Sequence, residues 1–70
     1  MDIKILQNLI DKYNAEMQAA NLNIDVYGKS AVGIGEHPDI VEAVESQVKR
    51  YSEAKEMHDA AYDLLVSRTQ

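Results

Sequence analysis

The chain has 70 residues, 46% of them hydrophobic, with no cysteine, no tryptophan and no phenylalanine. This composition excludes a disulfide framework and a zinc site built on thiolates, while it permits one small domain, residues 1–70, with an aliphatic core. Twelve acidic against seven basic residues give a formal net charge of −5, which argues against nucleic acids and anionic membranes as partners. A chain this short without covalent cross-links often gains stability by self-association.

The first predicted element is a helix from about residue 2 to residue 20. Apolar residues there recur at alternating spacings of three and four, which is typical of a helix that buries one face. Asn21 follows, and asparagine is a residue type that often ends helices. The apolar row comprises Ile3, Leu6, Ile10, Tyr13, Met17 and Ala20.

The period changes between about residues 21 and 37. Two β-branched residues at alternate positions, Ile24 and Val26, precede Gly28, and two more, Val32 and Ile34, follow it. Alternation is typical of strands, and a three-residue loop would place all four on one face of a β-hairpin. The usual loop of this length has its glycine last rather than first, so an irregular connection without strands stays open.

The third predicted element is a long helix from about residue 38 to residue 68. Pro38 suits the first helical position, and Asp39 places negative charge beside the helix N-terminus. The predicted fold class is therefore α+β, mainly α: a helix, a short β-hairpin or loop, and a long helix. The apolar row of the last helix comprises Val41, Val44, Val48, Tyr51, Lys55, His58, Tyr62 and Leu65, and a neighbouring row adds Ala54, Met57, Ala61 and Leu64.

The two predicted helices differ in length. At about 1.5 Å per residue they span roughly 28 Å and roughly 45 Å, so the first covers the last only to about residue 56. A helical hairpin that dimerises into a four-helix arrangement is the simplest way to cover the remainder, and a frayed or bent C-terminal helix in a monomer is the alternative. The predicted oligomer interface comprises Tyr51, His58, Ala61, Tyr62 and Leu65.

Two glycine-containing segments match parts of phosphate-binding motifs. Gly28-Lys29-Ser30 ends like a P-loop, but Asn23 stands where that motif needs its first glycine. Gly33-x-Gly35 begins like a dinucleotide fingerprint, but Pro38 replaces the third glycine. Neither segment predicts a nucleotide site, although a small ligand or anion at the loop of residues 33–37 between subunits stays open.

His37-Pro38-Asp39 matches the His-Pro-Asp signature of J-domains. In that family a strongly basic helix leads into the signature, whereas here the preceding residues 31–36 are neither basic nor helical in pattern. The beginning of a helix explains the same three residues.

Neither histidine lies at a metal-ligand spacing, since the acidic neighbours of His58 in sequence point to other faces of the helix. We therefore expect no metal, no cofactor and no catalytic residue. His58 in the apolar row is expected to influence oligomer state or the pH dependence of assembly.

Acidic residues form a stripe along the last helix, which ordinarily marks a solvated outer face. The sharper interpretation is a docking surface for a basic protein partner. The residues of that surface are Glu56, Asp59 and Asp63.

The stretch from Val32 to Val44, together with the helix and β-branched link before it, resembles small uncharacterised proteins of marine tailed phages. The resemblance implies an accessory phage protein in a bacterial cytoplasm and brings no catalytic or binding role. Charge near the N-terminus and the absence of a long apolar run also predict a cytoplasmic protein. The leading interpretation is a non-enzymatic self-associating interaction or structural protein, and the alternative is an acidic binder or inhibitor of a host protein.

Overall fold

The computed structural model describes residues 2–30 and 37–70, which form two helices. Helix α1 comprises Lys4–Ser30 and helix α2 comprises His37–Thr69. Contacts between Glu16 and Arg50 and between Asn23 and Gln47 show that the helices run antiparallel, because the positions rise in α1 as they fall in α2. The result is a helical hairpin with principal extents of 54 × 14 × 14 Å.

The predicted α+β fold is wrong, because residues 21–30 continue helix α1 instead of forming the first strand of a β-hairpin. Ile24 and Val26 are both helical. Val32 and Ile34, which were expected in the second strand, lie outside the described residues. Within the described ranges the chain contains helices and no strand.

The apolar row of α1 explains why the helix continues past Asn21. Ile24 follows Ala20 by four residues and Tyr27 follows Ile24 by three, so both extend the same helical row. Both side chains are half-buried, whereas Val26 is 50% exposed. Packing against α2 thus outweighs the modest preference of β-branched residues for strands.

Side-chain hydrogen bonds mark the two outer ends of the hairpin. Asp2 Oδ1 accepts a hydrogen bond from the Lys4 backbone N–H at 2.9 Å, which caps the N-terminus of α1. At the end of α2, Ser67 Oγ donates to the Leu64 carbonyl at 2.8 Å, and Thr69 Oγ1 lies 3.2 Å from the carbonyl of Val66. These bonds satisfy backbone groups near helix ends that would otherwise rely on water.

Helix α2 faces α1 with members of both predicted rows, and its most buried residues come from the neighbouring row rather than from the main one. Ala54 and Ala61 are 3% and 6% exposed, whereas Val41, Val48 and Tyr62 in the predicted row are at least half exposed. Small side chains allow the two backbones to approach closely, and this places the contact along the alanine row. Of the predicted row, the half-buried members are Val44, His58 and Leu65.

The predicted length mismatch is mostly absent. Because α1 continues to Ser30, it has 27 residues against 33 in α2, or about 40 Å against about 50 Å. Leu6 and Ala61, near the open end of the hairpin, are both buried, so α1 covers α2 well beyond residue 56. The apolar surface left without a partner therefore lies along the sides of the hairpin.

Candidate functional site

The described chain buries few residues and exposes many large apolar side chains. The buried ones are Leu6, Ala20, Ala54 and Ala61, so three of the four are alanines. Contiguous exposed apolar patches are typical of interaction surfaces, so these side chains are the candidates for one. The large apolar residues that are 38–63% exposed are Ile5, Leu22, Val26, Val41, Val48, Tyr51, Met57, Tyr62 and Leu64.

Spacing along the helices assigns part of this surface to one side of the hairpin. Residues seven apart lie on the same side of a helix, so the rows through Glu16 and Arg50 can be traced from the contact between these two. We call this side the Arg50 face. It comprises Leu9, Glu16 and Asn23 of α1, with Ile5 one turn before Leu9, and Ala43, Arg50, Met57 and Leu64 of α2.

A polar cluster crosses the middle of the Arg50 face. Arg50 Nε donates a hydrogen bond to Glu16 Oε2 at 2.9 Å, and Arg50 Nη1 lies 3.4 Å from Gln47 Oε1. Asn23 Nδ2 donates to the same Gln47 oxygen at 3.1 Å. The hydrogen bond from Arg50 lowers the pKa of Glu16, and the hydrogen bond to Glu16 raises the pKa of Arg50. The cluster therefore favours the ionised form of both side chains and joins the two helices in this register.

Towards the open end, the Arg50 face is apolar on both helices. Leu9 is half-buried and Ile5 is exposed on α1, while Met57 and Leu64 on α2 are 46% and 47% exposed. The face thus offers apolar side chains from α1 and α2 together.

The other side of the hairpin is apolar on one helix only. We call it the Tyr62 face, because its rows lie on the opposite side of the interhelical contact from the rows of the Arg50 face. Helix α1 contributes uncharged polar residues and glycine there, whereas α2 contributes two valines, a lysine and a tyrosine, and all eight are exposed. Its members are Gln7, Asn14, Asn21, Gly28, Val41, Val48, Lys55 and Tyr62.

The five residues predicted at the oligomer interface do not share one environment. Ala61 is buried against α1, and His58 and Leu65 are half-buried. Tyr51 and Tyr62 are 38% and 53% exposed. Two of the five therefore remain exposed in a single chain, while Ala61 is already occupied by the contact within the hairpin.

The predicted acidic surface is exposed on α2. Glu56, Asp59 and Asp63 lie three and four residues apart, so they are neighbours on one outer strip of the helix. Asp59 carboxylate oxygens lie 3.0 Å from His58 Nδ1 and 3.3 Å from Lys55 Nζ. The hydrogen bond with His58 and then the one from Lys55 lower the pKa of Asp59.

Other predicted features are placed only in part. Gly28-Lys29-Ser30 lies at the end of α1 rather than in a loop before a helix, while Gly33, Gly35 and Glu36 lie outside the described residues. In residues 2–30 and 37–70 the surface has no pocket, and no three His, Asp or Glu residues are grouped as metal ligands. In the same ranges neither helix is long and apolar enough to span a membrane.

The polar cluster and the two faces were missed by reasoning from the sequence. A contact such as Glu16 with Arg50 joins residues 34 apart, so only the register between the helices reveals it. The spacing of seven between Arg50, Met57 and Leu64 was a visible signal of a second row on α2. Comparisons with protein-family models, with curated proteins and with solved structures found no match to this chain. Its function is therefore inferred from the surfaces of the hairpin.

Proposed function

We propose that the protein is a non-enzymatic, self-associating helical hairpin that serves as a small structural or interaction module. The observation that supports this is the imbalance between buried and exposed apolar side chains in the described residues. Leu6 is the one large apolar residue among the four that are buried, whereas nine large apolar side chains are exposed.

The physical reason is that a hairpin of two helices has one interhelical contact. Each helix can bury a single strip along that contact, and wider apolar strips need a further layer of helices. A second copy of the chain supplies such a layer without another gene product, and identical hairpins associate through closed symmetric contacts. An accessory role is also what the resemblance to small phage proteins implies.

Sedimentation equilibrium over a micromolar to millimolar range of protein concentration tests this proposal. We expect the weight-average mass to rise from that of one chain to that of two as the concentration increases. A mass of one chain over the whole range would contradict self-association.

The exposed acidic strip supports a second candidate function, namely binding or inhibition of a basic protein. Glu56, Asp59 and Asp63 are neighbours on one strip, and the lowered pKa of Asp59 keeps its carboxylate ionised. A triple variant, Glu56→Gln, Asp59→Asn and Asp63→Asn, should lose salt-sensitive retention on an immobilised lysine-rich peptide while its sedimentation is unchanged. Equal retention of the variant and the wild type would contradict this second function.

A further inference from the structure

We infer that the partner is a second copy of this chain docked on the Arg50 face, with the twofold axis parallel to the helices. In that arrangement α1 of each copy packs on α2 of the other, and the two Glu16–Arg50 pairs join into one ring of alternating charges. This inference rests on the proposed self-association, which does not itself specify a face or a symmetry.

The first step is the choice of face. In a four-helix arrangement made from two hairpins, both helices of each hairpin must present apolar groups on the same side. The Arg50 face meets this requirement, because Leu9 comes from α1 and Met57 and Leu64 come from α2. The Tyr62 face does not meet it, because α1 contributes polar residues such as Gln7 and Asn14 and a glycine there, but no apolar side chain.

The net charge of the chain favours the same face. A formal charge of −5 makes two copies repel unless the surfaces that meet are neutral or complementary. On the rows through Glu16 and Arg50 in the two helices, the charged residues are Glu16 and Arg50, which neutralise each other. Lys12, seven residues after Ile5, adds a positive charge beside them. Burying this face therefore brings no excess negative charge from the two copies together.

The second step is the choice of symmetry. Two hairpins stacked face to face can be related by a twofold axis across the helices or along them. An axis across the helices places α1 on α1 and α2 on α2. Glu16 and Arg50 each lie within one turn of the middle of their helix, so Glu16 would meet Glu16 and Arg50 would meet Arg50.

An axis along the helices reverses this outcome. It places α1 of one copy on α2 of the other in the same register as within the hairpin, so Glu16 lies opposite Arg50 of the second copy. Opposite charges attract where like charges would repel, and the attraction strengthens as water is excluded. Charge complementarity therefore selects the axis along the helices.

The same register matches the apolar residues. Leu9 precedes Glu16 by seven residues and Met57 follows Arg50 by seven, so both lie two turns from the ion pair in the same direction. With the axis along the helices, Leu9 of each copy lies opposite Met57 of the other. Apolar groups thus meet apolar groups where charges meet opposite charges.

A matched pair of substitutions tests the face. Met57 is 46% exposed on the Arg50 face, and Val48 is 50% exposed on the Tyr62 face, so glutamate at either position is tolerated by a single hairpin to a similar degree. In sedimentation equilibrium, Met57→Glu should raise the dimer dissociation constant about a hundredfold, because the symmetric interface contains the change twice. Val48→Glu should leave the dissociation constant unchanged.

The possible outcomes separate the face from the proposed function. Dissociation by Val48→Glu but not by Met57→Glu would overturn the assignment of the face while self-association stands. A wild-type chain that is monomeric throughout would overturn the proposed function as well. Val48→Glu is the control for loss of structure, because glutamate at an equally exposed position of the same helix affects the folding of a single hairpin to a similar degree.

A charge-swapped variant tests the symmetry. The double variant Glu16→Arg with Arg50→Glu keeps an ion pair within each hairpin. With the axis along the helices, it also keeps the ion pairs between the two chains of a dimer made of the variant alone. It should dimerise as the wild type does. Mixed dimers with the wild type should be depleted, because like charges then face each other across the interface.

Native mass spectrometry of an equimolar mixture after re-equilibration measures this depletion. We expect mixed dimers to be well below half of the dimer population. An axis across the helices would instead enrich mixed dimers, and a statistical half would show that the charges do not contact each other. Either of these results overturns the inferred arrangement.

Discussion

Gly28 occupies a position in α1 where a side chain is permitted. A Cβ built there would meet no atom within 4 Å, and the residue is exposed and helical. Glycine in a helix is disfavoured because the unfolded chain gains more conformational freedom there than at any other residue. We expect Gly28→Ala to raise the free energy of unfolding by about 0.5–1 kcal/mol.

Urea denaturation at fixed protein concentration measures this change. Asn21→Ala on the same face of α1 is a suitable control, because it replaces an exposed helical residue without removing a glycine. A decrease in stability on Gly28→Ala would show that residue 28 lies in a turn, as the β-hairpin interpretation required.

The contribution of Glu16 to the stability of the hairpin depends on pH in the acidic range. Its pKa is lowered from 4.5 in the folded state, chiefly by the hydrogen bond from Arg50. A group whose pKa is lowered on folding stabilises the protein above its unfolded pKa, and this contribution disappears as the pH falls through the folded value. The loss should therefore occur below about pH 4.5.

The variant Glu16→Gln isolates this contribution. We expect the wild type to be more stable than the variant in chemical denaturation at neutral pH, and the difference to narrow as the pH is lowered towards 3. Asp59→Asn is the parallel control, because its pKa is also lowered but its partners lie on its own helix. A difference between wild type and Glu16→Gln that is independent of pH would contradict a role for the carboxylate charge.

At the scale of the element, the alanine row of α2 sets the distance between the helices. Ala54 and Ala61 are seven residues apart and almost fully buried, so a larger side chain at either position has to push the helices apart. We expect Ala61→Leu to lower the free energy of unfolding by about 1–3 kcal/mol through overpacking. Ala60→Leu, one position away and exposed, should have little effect in the same denaturation measurement.

Equal effects of the two leucine substitutions would place the contact on another row. The comparison is therefore also a test of the rotation of α2 about its own axis. It distinguishes the observed alanine row from the row of valines and tyrosines that hydrophobicity favours.

The sequence was sufficient to predict the two helical rows, but not where one of them ends or which one packs. The row of α1 extends in step to Ile24 and Tyr27, yet the alternation of Ile24 with Val26 suggested a strand. In helix α1 the two residues belong to different rows: Ile24 lies on the row that faces α2, and Val26 lies on an exposed row. On α2, the prediction gave more weight to the row of larger apolar residues than to the row with the alanines. In the structure the most buried residues of α2 are Ala54 and Ala61, because small side chains let the two helices approach closely.

The candidate surfaces depend on information that is not local. Glu16 and Arg50 are 34 residues apart, and their pairing needs the register of an antiparallel hairpin whose first helix reaches Ser30. With α1 ending at residue 20, the apolar excess seemed to lie at the end of α2. With α1 extended, the same excess lies along the sides of the hairpin, and the proposed self-association has a different geometrical origin.

At the scale of the whole molecule, folding and association should be coupled. The buried residues of one chain are mainly alanines, so a single hairpin has little apolar burial to offset the entropy of ordering its residues. Covering the Arg50 face with a second copy adds burial that exists only in the dimer. Anything that binds the folded state raises its apparent stability with concentration, and here the ligand is the chain itself.

We therefore expect the thermal midpoint of the wild type to rise by about 5 °C for each tenfold increase in protein concentration, as measured by circular dichroism. The variant Met57→Glu should show no such rise in the same range, because its hairpins do not associate there, while Val48→Glu should behave as the wild type. A wild-type midpoint that is independent of concentration, at concentrations where sedimentation shows dimers, would mean that association does not stabilise the folded hairpin at the temperature where it unfolds. Coupling between folding and association would then be wrong, even though the hairpins associate.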